Sequence, residues 1–367
     1  MKRVREDKNK NLLDEDFTKL DKSNMVAALE GFPQKIRDAL RLGKELSIPD
    51  NYRIQARQGF KNIVVLGMGG SAIGGDLLSN YLYDELSIPI VVIRGYNIPK
   101  FVGQDSLVFA VSYSGNTEET ISALSKCIEI GAKVIALSSG GWFEALSQDY
   151  NFPLIKVPSG IQPRAALGYL FFPLLKVLEN INLIRERTEE TEEIINILQK
   201  LSVEYGSKSL TEYNFAKQIA LSLYQYLPLI YGSEGLFAAV TMRWKTQINE
   251  NSKWPCFWNV FSELNHNEIV GYEIRNQLNR KAKIVYLQDQ EGNPRIRQRY
   301  EITKKIIDQK VAEFILCPSK GKNKLARMFS LIYLGDLVSC YLAILNQVDP
   351  SPVACIENLK KELAKLE

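Results

Sequence analysis

Histidine is nearly absent: His266 is the one imidazole in 367 residues. Zinc sites of the histidine-rich kind need several imidazoles or clustered thiolates, and the five cysteines (Cys127, Cys256, Cys317, Cys340 and Cys355) are scattered without a C-x-x-C pair. A metal-dependent mechanism is therefore not expected. The same scattering, with no secretory pattern opening the chain, points to a reducing cytoplasm. Charge of one sign is scarce as well. Lys plus Arg (46) against Asp plus Glu (42) leaves a formal +4, too little to argue a nucleic-acid surface, although a local anion pocket stays open. Long hydrophobic runs are also lacking. The greasy stretch Tyr169 to Leu178 is broken by Pro173 and Lys176, so no membrane span is expected.

What is present is the balance of an ordinary globular chain, 46% hydrophobic and 24% charged, at a length that suits two domains. The first ten residues, MKRVREDKNK, hold too few apolar groups to fold alone and read as a frayed leader. Residues 11–50 carry apolar positions at helical spacing, with Asp21 or Ser23 as N-cap and Pro49 as a stop. From residue 61 the pattern changes to short apolar runs, KNIVVL, PIVVIR, SLVFAV, AKVIAL and PLIKV, between Gly/Ser turns and helical stretches. Runs that are apolar throughout suit parallel strands covered by helices on both faces, so the first half is a doubly wound α/β sheet. The charged stretch RERTEETEE, Arg185 to Glu193, leads into a solvated connecting helix. The second half repeats the alternation with PLIYG, a helix from Ser233 toward Glu250, KIVYL, a polar helix and EFILCP. GMGGSA and YGSEG look like corresponding loops of a duplication. The expected division is a lead-in over 1–50, a first domain over 51–183, a helical linker over 184–210 and a second domain over 211–367.

Chemistry is expected at the strand-to-helix turns. Gly67-Met68-Gly69-Gly70-Ser71 follows a buried strand and opens a helix, where free amides and the helix dipole hold an anion. No Gly-Lys-Ser/Thr ends the loop, so it is not a Walker A sequence. It satisfies a loose dinucleotide pattern, but the next strand ends in Arg94 with no acidic residue placed for a ribose diol. A tight turn with close helix packing would also account for these glycines. Ser112, Ser114 and Thr117 cluster before a helix starting near Glu118, and short donors at a helix start suit a phosphate monoester. An ST-turn would explain one or two of those hydroxyls. Arg164, after PLIKV, falls at the carboxyl edge of the sheet, where open α/β folds bind ligands. It can stabilise developing negative charge or make a simple ion pair. Glu250 and His266 stand among Trp254, Phe257, Trp258 and Phe261, which suggests a walled cleft in which a carboxylate and an imidazole shuttle protons. Placed against an apolar wall, Glu250 would be suited to act as a base.

Taken in order, GMGGSAIGGD, SYSGNTEET, QPRAAL, INENSK and ELNHNE resemble the bifunctional phosphoglucose/phosphomannose isomerase family, built from two sugar-isomerase (SIS) domains. The tail DPSPVACIENLKKEL is also similar. The resemblance implies two tandem flavodoxin-like α/β domains behind a helical lead-in. It implies that Gly70, Ser71, Ser112, Ser114 and Thr117 bind a sugar phosphate, that Glu250 moves a proton between carbons 1 and 2, and that His266 is the ring-opening acid/base. Arg164 would stabilise the enediolate, and the C-terminal site lysine would be Lys360, which Lys361 adjoins. No metal or redox cofactor is implied. A homodimer is, with the histidine supplied by the neighbouring chain. Mannose 6-phosphate turnover would follow from reprotonating one enediolate on either face of carbon 2. Two competitors are a non-catalytic sugar-phosphate sensor, which would need neither Glu250 nor His266, and a nicotinamide-dependent oxidoreductase using the Gly67 loop. A glutamine-dependent glucosamine 6-phosphate synthase is disfavoured by the missing N-terminal cysteine.

Overall fold

The computed structural model describes residues 9–274, 276–363 and 365. The leader expected for residues 1–10 lies outside the described residues as far as residue 8. After a short helical turn, the lead-in forms α1 (Met25–Glu30), α2 (Phe32–Glu45) and α3 (Asp50–Gln58). Asp21 does cap: its carboxylate accepts the amides of Met25 and Val26 at 2.7 and 2.9 Å. The lead-in belongs to the core. Phe32 stacks on Tyr333 at a centroid distance of 6.3 Å, and Ile36 and Ala39 are sealed from solvent.

The first sheet holds β1 (Asn62–Leu66), β2 (Ile90–Ile93), β3 (Ser106–Val111), β4 (Lys133–Ser138) and β5 (Leu154–Lys156), all parallel in the order β2-β1-β3-β4-β5. β1 and β3 are buried along their whole length, as their unbroken β-branched and aliphatic runs demand. The connecting helices are α4 (Gly69–Leu82), α5 (Glu118–Glu129) and α6 (Trp142–Tyr150), followed by a 3-10 turn (Pro163–Ala165) and α7 (Leu167–Asn180).

A second parallel sheet runs β7-β6-β8-β9, from β6 (Leu227–Ser233), β7 (Phe257–Phe261), β8 (Ala282–Gln288) and β9 (Glu313–Pro318). The helices of this half are α8 (Thr188–Glu204), α9 (Phe215–Leu223), α10 (Ala238–Ser252), α11 (Pro294–Ile307), α12 (Lys324–Leu345) and α13 (Ala354–Leu363). Its order matches the first four strands of the other sheet, with β6 in the place of β1 and α10 in the place of α4. The first half is thus a five-stranded flavodoxin-like sheet and the second a shorter copy of the same winding.

Three sequence expectations are corrected. FWNVF, taken as part of a cleft wall, is the edge strand β7: Phe261 is buried in the second sheet's own core, while Phe257 and Trp258 face outward. The RERTEETEE helix is not simply solvated, because Ile194, Ile195, Leu198 and Leu201 of α8 are buried against α12 and α2, and Arg187 is sealed between Glu85 and Glu190. Finally, α12 is long and apolar enough by composition to cross a membrane, yet it is wholly buried in the protein. Its partners are α10, α9 and α8, and the rings of Phe171, Phe172 and Phe329 meet at 5.0 Å where α7 joins it. Each such ring contributes roughly 1.5–3 kcal/mol by leaving water, so the seam between the two sheets is itself a core.

Candidate active site

The two halves meet through α4 and α10. The amide of Ala239, at the start of α10, donates to Asn80 Oδ1 near the end of α4 at 2.8 Å. At the opposite ends, Glu250 of α10 shares a cleft with Gly69 and Gly70 of α4. The helices therefore run antiparallel, and that direction carries a carboxylate from the second half over the glycine turn of the first. A Cβ on Gly70 would lie 3.1 Å from the Pro163 carbonyl carbon, so glycine lets the turn close against the Arg164 segment. Gly74 answers to packing as well: a Cβ there would lie 2.4 Å from the Leu170 carbonyl oxygen of α7. At both positions glycine answers to close packing.

The hydroxyls gather at the carboxyl edge of the first sheet. Ser71 Oγ accepts the Tyr113 amide at 3.2 Å, which ties the glycine turn to the loop after β3. In that loop Ser112 Oγ accepts the Gly115 amide at 3.1 Å and lies 3.0 Å from Thr117 Oγ1, while the exposed Ser114 accepts the Asn116 amide at 3.3 Å. These are turn contacts, yet each hydroxyl retains further hydrogen-bonding capacity. Thr117 stands at the N-cap of α5 without capping it. The first-turn amides of α5 open onto the same edge, a ready anion cradle. The Ser138–Trp142 loop supports it from below. Ser139 Oγ donates to the Tyr113 carbonyl at 2.7 Å, and Asn116 Oδ1 receives the Trp142 amide at 3.0 Å. Gly115, at φ 72°, could carry no side chain, since a Cβ would fall 1.8 Å from the Gly140 oxygen.

Arg164 is buried, with 4% of its side chain exposed, and lies 3.7 Å from Glu250 Oε2 through Nη1. The other donors are anchored. Nε gives to Asn251 Oδ1 at 2.5 Å, and Nη2 reaches the carbonyls of Pro350 and Ser351, both at 2.6 Å. Burial holds the guanidinium below its ordinary range, with Glu250 opposing. Behind it Arg243 donates Nε and Nη2 to Asp336 and Nη2 to the Arg164 carbonyl. Burial raises the Asp336 carboxyl while Arg243 and Gln247 favour its charged form. Glu250 keeps 31% of its side chain exposed and shares its cleft with Arg94, Arg164 and Arg243 as well as the apolar Ile73 and Met242, so its wall is mixed and is not made by the aromatics that follow it in sequence.

Gly70, Ser71, Ser112, Thr117, Arg164 and Glu250 thus lie along one continuous edge, with Ser114 at its outer rim. His266 and Lys360 do not join them within one chain. His266 ends the 3-10 turn Glu263–His266 and is exposed; Lys360 projects from α13, which buries none of its residues. Lys361 lies on the same exposed helix. The cleft around Glu250 measures about 90 Å³.

A relative from Caldicellulosiruptor bescii, a bifunctional phosphoglucose/phosphomannose isomerase, is 44% identical over 343 residues, covering 94% of this chain and 100% of its own. The chain belongs to that family. A Thermoplasma acidophilum protein of the same name is 39% identical, over 83% of this chain and 90% of the relative. Residues 212–363 match the bacterial phospho-glucose isomerase C-terminal SIS domain. The crystal structure of a glucose-6-phosphate isomerase like protein from Thermus thermophilus superposes with a TM-score of 0.63 at 21% identity, covering 93% of this chain and 98% of that one; it speaks for the fold alone. Sequence reasoning assigned no role to Asn251, Arg243 and Asp336: Asn251 holds the Arg164 guanidinium, Arg243 holds its carbonyl, and Asp336 holds Arg243. Their signal was present: Asp336 is the sole acid in the apolar run of α12, and a lone buried acid needs a partner.

Proposed function

We propose that this isomerase interconverts glucose 6-phosphate and mannose 6-phosphate with fructose 6-phosphate through a cis-enediolate and needs no cofactor to do so. The observation that carries the reading is the pairing of a half-open carboxylate, Glu250, with a buried, fully anchored arginine beside a hydroxyl-lined anion cradle. Ser71, Ser112, Ser114 and Thr117 hold the phosphate with neutral donors and helix amides. The opened sugar then runs past Gly70 toward Glu250. Glu250 takes the proton from carbon 2 of the aldose while the carbonyl electrons move onto oxygen 1 to give the enediolate; the proton of the carbon 2 hydroxyl passes to oxygen 1, and the same carboxylic acid returns its proton to carbon 1 as the carbonyl forms at carbon 2. Arg164 is pre-oriented next to that charge and needs no rearrangement to meet it. Return of the proton to either face of carbon 2 gives glucose or mannose stereochemistry.

Ring opening calls for an acid/base that one chain does not bring to the cleft. A cleft of about 90 Å³ is also well below the roughly 300–1,000 Å³ of ordinary ligand sites. We therefore propose a homodimer in which His266 of each subunit completes the other's site. The groove of Asn265, Ile269, Ile302 and Ile306 beside that histidine, with both of the last two side chains exposed, is the face it would use. Lys360 is proposed to reach the site when α13 is covered. The SIS units are proposed as 51–183 and 211–367, joined by 184–210, in a cytoplasmic enzyme.

The direct test is a coupled assay on purified protein in chelator, with each of the three sugar phosphates. Turnover of all three is expected. Folded protein with no turnover would contradict the reading, and turnover only with NAD(P) would favour the oxidoreductase.

A further inference from the structure

Three arginines line the cleft around Glu250, and they differ in how far the protein already occupies them. Arg243 spends Nε and Nη2 on Asp336 and the Arg164 carbonyl. Arg164 spends Nε and Nη2 on Asn251 and two backbone carbonyls, and Nη1 also lies 3.4 Å from Gln162 Oε1. Arg94 is different. It follows the last residue of β2, has 38% of its side chain exposed, and makes one ion pair, Nη2 to Asp76. Asp76 is itself 18% exposed on α4 and so fixes one corner of the guanidinium against the glycine helix. An arginine presents a planar fork of donors; Arg94 lines the cleft, and among the described residues Asp76 is the one ion-pair partner of its guanidinium.

Position narrows what the fork meets. Strand order β2-β1-β3 puts Arg94 on one flank of the Gly67–Gly70 turn and the Ser112 loop on the other. Arg94 therefore shares the Glu250 end of the cleft and is separated from the hydroxyl cradle by the glycine turn. We propose that Arg94 is a substrate-binding residue that donates to the oxygens at the reacting end of the opened sugar, the carbonyl and then the enediolate, and that Asp76 is its positioning residue. The inference rests on the isomerase reading above. It adds a second cation to Arg164, one that is mobile enough to follow the substrate yet tethered at a single corner.

The experiment compares wild type with Arg94→Gln, using two competitive ligands against fructose 6-phosphate turnover. Inorganic phosphate reads the cradle alone, and the hydroxamate of a five-carbon aldonate 5-phosphate reads cradle and enediolate site together. Arg94→Gln is expected to lower kcat and to weaken the hydroxamate by roughly 10- to 100-fold, the worth of one hydrogen bond to a charged group, with phosphate inhibition unchanged. Asp76→Asn should shift the hydroxamate the same way by less. Arg94→Lys keeps the ion pair but loses the fork, and carries the same comparison should the glutamine variant fail to fold. Equal weakening of phosphate and hydroxamate would make Arg94 a cradle or purely structural residue and overturn the proposal. An unchanged hydroxamate constant would overturn it too. Wild type that neither turns over sugar phosphate nor binds the hydroxamate would instead sink the isomerase reading.

Discussion

At the scale of single residues, the charged groups of the proposed site are held in place by the protein itself. Arg164 would be a poor electrophile if it had to be gathered from solvent; Asn251, Pro350 and Ser351 have already fixed it. The fixing continues outward to Arg243 and Asp336, a pair with almost no exposed surface. Asp336→Asn removes the compensating charge and leaves Arg243 buried without it. A loss of about 3–5 kcal/mol in urea unfolding is expected, and a loss under about 1 kcal/mol would mean that the pair does not hold the seam. The position of Arg164 at the cleft was legible because QPRAAL follows a strand at the carboxyl edge. Its surroundings were not, since partners 87 and 186 positions away leave no local trace. The same distance effect hid the surroundings of Glu250: the aromatics that follow it in sequence are not among the residues lining its cleft, and three arginines are.

Among the elements, β1 and β3 were readable to within a residue or two because both of their faces are buried and the runs are almost uniformly apolar. β7 was not, since an edge strand with two outward aromatics carries no such signature. The lead-in helix α2 shows how an element outside both sheets still bears on the site: Lys35 Nζ donates to the carbonyls of Ala28 and of Ala165, next to Arg164. Burial pulls its ammonium down to about 8, with Asp336 opposing. A base depressed in the folded state is protonated only in the unfolded chain between about 8 and 10.5, so its contribution to stability rises with pH across that window. Relative to Lys35→Met, the wild type is expected to gain about 1–3 kcal/mol between pH 7.5 and 10. A difference that stays flat with pH would contradict the assignment.

For the whole molecule, the duplication legible in GMGGSA and YGSEG has a physical consequence. Two copies of one winding, packed through antiparallel α4 and α10, bring the glycine turn of the first half and Glu250 of the second, the proposed base, to one cleft. The seam needs a largely apolar helix, which is why α12 passes by composition for a membrane span while its apolar stretch lies inside the protein. What the fold of one chain does not deliver is the imidazole, and the account requires a second copy to supply it. That requirement is tested by coexpressing Glu250→Gln and His266→Asn chains with different tags and purifying the mixed dimer population. Each variant alone is expected to fall by roughly 100-fold or more. The purified mixed dimers should recover roughly half of the wild-type rate, because each has one intact site of two. Mixed dimers as inactive as the parents, or parents as active as wild type, would contradict the account.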